Sequence, residues 1–105
     1  MKLMTKEVEK KLPALYSQDG KDPKDVKIVV KFFHAASNYT WYATEGSKRE
    51  DGDWEFFGLV RGHFAELGYF TLSELQGVRV RGLPVERDMH FGFDRTLAEA
   101  KEGRI

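Results

Sequence analysis

Apolar and polar positions alternate in the middle of this chain and recur at helical spacing toward its ends. From Lys27 the period is two: Ile28, Val30 and Phe32 share one face and Lys27 and Lys31 the other, with Val29 and Phe33 blurring the pattern. Asn38 to Glu45 sets Tyr39, Trp41 and Ala43 against Thr40, Tyr42 and Thr44. Trp54 to Arg61 sets Trp54, Phe56 and Val60 against Glu55, Phe57 and Arg61, with Gly58 and Gly62 marking a bulge or a close backbone approach. Ala35 to Asn38 reads as a hairpin turn, and Gly46 to Asp53, with no apolar residue, as an exposed loop. Tyr69-Phe70 ends a fourth strand. A last strand runs from Val85 to Phe91, with Val85, Met89 and Phe91 on one face and Arg87 interrupting it.

Helical spacing governs Leu3, Met4, Val8 and Leu12, and Pro13 closes that helix because the residue before a proline is pushed out of the helical region. Thr71-Leu72-Ser73-Glu74 matches a capping box, Leu72 and Leu75 face inward, and Gly77 ends the second helix. Thr96 to Glu102 forms a third. The pattern predicts an α+β fold: an antiparallel meander of about four to five strands, with short helices at the N-terminus, after the fourth strand and at the C-terminus, packed on one face.

Eleven of the fourteen aromatic residues fall between Phe32 and Phe70. Such residues favour pleated, half-buried surfaces, so this block predicts the sheet core, with more rings than a small core needs. A chain of 105 residues supports one domain over residues 1–105. Lys plus Arg equals Asp plus Glu at 17 each, which gives no global field toward nucleic acid or membrane. The absence of cysteine removes disulfides, thiolate nucleophiles and Cys-based zinc sites. No apolar run is long enough for a signal peptide or a membrane span, so the expected location is the cytoplasm, with no membrane partner.

Five motifs then carry a family resemblance. Leu12-Pro13-Ala14-Leu15-Tyr16, Ser37 to Glu45, Phe56-Phe57-Gly58-Leu59-Val60, Glu66 to Leu75 and Leu83-Pro84-Val85-Glu86-Arg87-Asp88 occur in this order. Together they resemble a bacterial family catalogued as domain of unknown function 2958, over about Leu12 to Phe91, with residues 1–11 and 94–105 outside the motifs. Tyr39 and Val85 stand where members often carry Trp and Ile. The resemblance implies carriage on plasmids, conjugative elements or phages, where small proteins often handle host defences, plasmid maintenance or transfer. It supplies no activity.

The surplus rings suggest a contact surface. If Val29, Phe33, Tyr42 and Phe57 lie on an uncovered second face, they form an apolar patch rimmed by Lys27, Lys31, Glu55 and Arg61, the kind that marks a protein partner. A homodimer would cover the same face. Tyr39, Trp41, Tyr42 and Trp54, with Lys27, Lys31, Arg61, Arg79 and Arg81, are the candidates for stacking single-stranded nucleic acid. Glu45, Glu66, Glu86, Arg87 and Asp88 are the candidate polar cluster. Two of its carboxylates in one cleft could act as acid and base, whereas Arg87 paired with one of them would be structural. His34, His63 and His90 lack metal-motif spacing, and no phosphate loop or nucleophile signature appears. No cofactor, metal site or catalytic residue is assigned. The expected function is a small non-enzymatic protein-interaction module of a mobile element, in a concrete form an anti-defence inhibitor or accessory protein. The alternatives are a single-strand nucleic-acid-binding domain and a small hydrolase-like enzyme using clustered carboxylates.

Overall fold

A computed structural model describes all 105 residues. Thr5 accepts a hydrogen bond from the Val8 amide and opens helix α1, Lys6–Lys11, with Val8 buried and Leu3 and Met4 buried just before it. A 3-10 turn at Pro23–Asp25 precedes strand β1, Val30–Phe33. Then come β2, Thr40–Lys48, β3, Trp54–Arg61, and β4, Ala65–Thr71, followed directly by helix α2, Leu72–Gly77. Two short strands, β5 (Arg79–Val80) and β6 (Leu83–Pro84), form a separate hairpin; β7, Glu86–Arg87, returns to the main sheet, and helix α3 spans Leu97–Lys101. The sheet order is β4-β3-β2-β1-β7, antiparallel throughout. The predicted α+β meander is therefore the fold. No helix is long and apolar enough to cross a membrane.

Two cores sandwich the sheet. The first face buries Val30, Phe32, Trp41, Ala43, Phe56 and Phe70 beneath α1 and α2, with Val8, Leu75 and Val85 closing over them. The second face buries Tyr42, Leu59, Val26 and Ile28 against Leu97 and Ala100 of α3. The helices thus occupy both faces, where the sequence reading had them on one. The predicted alternation of β3 holds: Trp54, Phe56 and Val60 belong to the first core and Leu59 to the second. That of the preceding segment breaks at Val29, because both Val29 and Val30 join the first core while Ile28 joins the second. Before β1 the chain is tied instead to the segment ahead of α3: the Ile28 amide donates to the Arg95 carbonyl at 2.9 Å and Lys27 bridges Thr96.

A bulge between Ala43 and Glu45, opposite Gly58 and Phe57, sharpens the fold. It inserts Thr44, whose hydroxyl donates to the Phe57 carbonyl at 3.2 Å. Gly58 permits the close approach: a Cβ there would lie 1.7 Å from the Tyr42 carbonyl oxygen. After the bulge β2 continues to Lys48, so the exposed loop is shorter than the polar run of residues 46–53 suggests. The last strand is shorter too. Only Glu86 and Arg87 pair with β1; Met89 is exposed, and Phe91 packs on the second core rather than beside Val85.

Candidate functional site

The second face is divided. Over Tyr42 of β2 and Leu59 of β3, α3 and the chain end seal it: Tyr42 is only 2% exposed and its hydroxyl donates to the Ile105 carbonyl at 2.6 Å. Burial pushes ionisation of this phenol above the ordinary tyrosine value, against the opposing pull of Arg61. Arg61 itself donates to the Ala100 carbonyl, which ties α3 to β3. Beyond Tyr42 and Leu59, over Phe57 and β4, no helix covers the face. Tyr69 (52% exposed), Leu67 (46%) and Tyr16 (61%) stand open there around the half-buried Phe57. The Phe57 and Tyr69 rings are 5.0 Å apart and those of Tyr16 and Tyr69 6.3 Å, both tilted, within the range of favourable aromatic pairs.

This group is built rather than left over. Tyr16 sits at φ 72°, a left-handed conformation that a bulky residue adopts only when its surroundings impose it. The imposing group is Glu45, 2% exposed on β2, whose two carboxylate oxygens accept the Tyr16 amide at 2.8 Å and the Gln18 amide at 3.0 Å. Ser47 accepts the Leu15 amide at 3.0 Å, and the Gly46 amide donates to Pro13 at 2.9 Å, so the 13–18 segment is stitched along β2. A buried carboxylate is costly unless it is hydrogen-bonded, and Glu45 meets that condition by fixing the loop that presents Tyr16. Packing withdraws Tyr69 from water and raises its hydroxyl above the ordinary value, with Tyr16, Asp19 and Glu45 adding to the rise.

The residues expected to form one open patch are dispersed. Val29 is buried in the first core and Tyr42 in the second. Phe33 and Phe57 are half-buried on β1 and β3, with the sealed zone of Tyr42 on β2 between them. Lys31 lies 3.8 Å from Asp88 and over the Tyr42 ring, and Arg61 holds α3. The expectation of a wholly uncovered second face is corrected by α3, a helix short enough that the pattern gave no reason to place it there. The polar cluster is dispersed as well. Glu45 is spent on backbone amides, Glu66 is exposed on β4, and Glu86, Arg87 and Asp88 lie at the far edge of the sheet. Arg87 donates to the Lys2 carbonyl at 2.7 Å, not to an acid.

Among the rings considered for base stacking, Trp41 and Tyr42 are buried, Trp54 half-buried and Tyr39 partly exposed. His34 is buried, its Nδ1 accepting from the Ala36 amide and its Nε2 donating to the Leu83 carbonyl at 2.8 Å. No three His, Asp or Glu side chains converge closely enough to hold a metal ion. Sequence reading missed Tyr16, Leu67 and Tyr69 as a surface. The available signal was the alternation Glu66-Leu67-Gly68-Tyr69-Phe70, which gives β4 a second apolar face.

An antiparallel five-stranded sheet with short helices over both faces and one half-face left open defines a small α+β domain. A family model described as "Protein of unknown function (DUF2958)" matches residues 3–102, and the chain belongs to that family. The match takes in α1 and all of α3, beyond the stretch carrying the motifs. No curated protein and no solved structure matches the chain.

Proposed function

We propose that this chain is a non-enzymatic protein-interaction module that captures a protein partner on the open half of its second face, through Tyr16, Phe57, Leu67 and Tyr69. The carrying observation is the strained Tyr16 backbone held by buried Glu45, since strain maintained to present an exposed ring points to use of that ring. Tyrosine is also a favoured interface anchor, bringing large contact area at small entropic cost. The finer reading, an anti-defence or accessory protein of a mobile genetic element acting in the cytoplasm on a host immunity component, rests on the family resemblance alone.

The test compares affinity capture from a host lysate by the wild type and by a Leu67→Ser/Tyr69→Ser variant whose circular dichroism matches it. The wild type should retain a defined protein that the variant loses at least about tenfold, the scale of a single interface anchor. Equal retention by the two would overturn the assignment of this surface.

A further inference from the structure

The sheet has two edges, and only one is protected. At β7 the edge strand is two residues long, both charged, and the chain start runs along it: the Arg87 amide meets the Met1 sulfur at 3.1 Å and its guanidinium the Lys2 carbonyl at 2.7 Å. Short, charged, covered strands are how proteins prevent edge pairing. At β4 none of these devices is present. The strand is seven residues long, pairs only with β3, keeps an unbroken register there, and carries neither Lys, Arg nor Pro; Glu66 is its single charge.

Backbone alternation shows which groups this edge leaves free. The Gly62 amide donates to the Phe64 carbonyl at 2.9 Å, and the Phe57 carbonyl is turned toward β2, where Thr44 reaches it. In an antiparallel ladder, hydrogen-bonded and non-bonded pairs alternate. The bonded pairs between β3 and β4 are therefore Val60 with Glu66, Gly58 with Gly68 and Phe56 with Phe70. Ala65, Leu67 and Tyr69 turn their N–H and C=O groups outward. Leu67 and Tyr69 also carry the open apolar face.

We infer that β4 pairs antiparallel with β4 of a second copy of this chain, about a two-fold axis at Gly68, joining two five-stranded sheets into one. In this register Leu67 and Tyr69 of the two copies form the bonded pairs and lie side by side on the open face, apolar against apolar. The two Gly68 residues face each other in the close, non-bonded position. Each Glu66 lies opposite Phe70 of the other copy, so the strand's one charge never meets its duplicate. Formal net charge is zero, so no long-range repulsion opposes the approach of two copies. Nothing on the edge offers a complement to a charged foreign strand, whereas the strand complements itself. Edge pairing leaves the faces free, so the two Tyr16–Phe57–Leu67–Tyr69 groups become one continuous surface. The dimer goes beyond the partner-capture reading and does not depend on it.

Gly68 supplies the test. A Cβ at this position meets nothing within 4 Å, so a side chain there leaves the monomer undisturbed, yet it would face its own copy across the axis. Sedimentation of purified protein should show a wild-type dimer. Gly68→Lys and Gly68→Glu should each sediment as monomers with unchanged circular dichroism, the dissociation constant rising at least about tenfold from like charges placed opposite one another. Mixing the two variants in equal amounts should restore the dimer. A wild type that stays monomeric overturns the inference, as does a dimer insensitive to both substitutions, or a mixture that fails to recover. The Gly68 variants keep Leu67 and Tyr69, so sedimentation reads the dimer while lysate capture by a Gly68 variant reads the partner surface, and the two proposals fail separately.

Discussion

The two halves of the second sheet face use similar residues for opposite ends. In one half Tyr42 and Leu59 lie beneath α3, and in the other Phe57, Leu67 and Tyr69 lie beneath no helix. Hydrophobicity does not separate them, because an aromatic ring on a strand reads the same whether or not a helix crosses above it. What separates them is a five-residue helix, α3, positioned by a capping box at Thr96 and Glu99 and by the Lys27–Thr96 bridge. The lesson is that the covering element, rather than the strand, decides whether an apolar face is core or contact surface.

The largest expected effect breaks this comparison at its sealed half. Tyr42→Ala removes a fully buried ring and should cost about 3–5 kcal/mol, as large-to-small changes of buried aromatics do. Urea titration followed by intrinsic fluorescence measures it. A loss below about 1 kcal/mol would mean that α3 does not hold the ring, and the halves would then be alike. By contrast, Leu67→Ser/Tyr69→Ser alters side chains that are about half exposed and should cost clearly less than Tyr42→Ala.

Glu45 joins the halves, and its substitution gives the intermediate effect. Glu45→Gln keeps the shape but replaces one acceptor oxygen with a donor, leaving the Tyr16 or the Gln18 amide unanswered. A buried unsatisfied amide costs about 1–3 kcal/mol. The change should also release the 13–18 segment, seen as faster hydrogen exchange at Tyr16 and Gln18 than in the wild type. Unaltered exchange there would show that Tyr16 holds its left-handed backbone without the carboxylate, and the argument that the open half is actively presented would lose its support.

Much of this was legible from the chain, for identifiable reasons. Trp54–Arg61 keeps one strand phase from end to end, with Trp54, Phe56 and Val60 on one face as read, and its boundaries were readable too. Thr71 caps α2 as the Thr-x-x-Glu spacing predicts, with the Glu74 amide donating to the Thr71 hydroxyl at 3.2 Å. The Glu74 carboxylate accepts from that hydroxyl instead of from the Thr71 amide, so the box is half formed. Phase was lost where tertiary bonds outrank period. Ile28 is bound by Arg95, far along the chain, and so faces away from Val30. The Val85–Phe91 strand failed because the chain turns away at Asp88: its amide still donates to the Lys31 carbonyl, but its own carboxylate accepts the His90 amide. The candidate surface was misplaced for the same reason: coverage by α3 is a long-range fact, and Tyr16 reaches Tyr69 only through Glu45, 29 residues away from it.

The smallest effect sharpens the comparison with hydroxyls alone. Both Tyr42 and Tyr69 ionise above the ordinary tyrosine value of 10.0, Tyr42 chiefly because it is buried and Tyr69 because its neighbours desolvate and crowd it. A proton held more tightly in the folded chain gives stability that is fully present below the unfolded value near 10.0 and is lost as pH rises through the folded value. Tyr42→Phe should therefore cost about 1 kcal/mol at neutral pH, from the lost bond to Ile105. It should also flatten the decline in stability above pH 10.0. Tyr69→Phe should leave neutral stability unchanged and flatten that decline far less, because a half-exposed phenol is screened by solvent. Denaturant titrations across the alkaline range distinguish the two. Equal flattening by both would place the two rings in comparable surroundings and erase the distinction between a sealed and an open half-face.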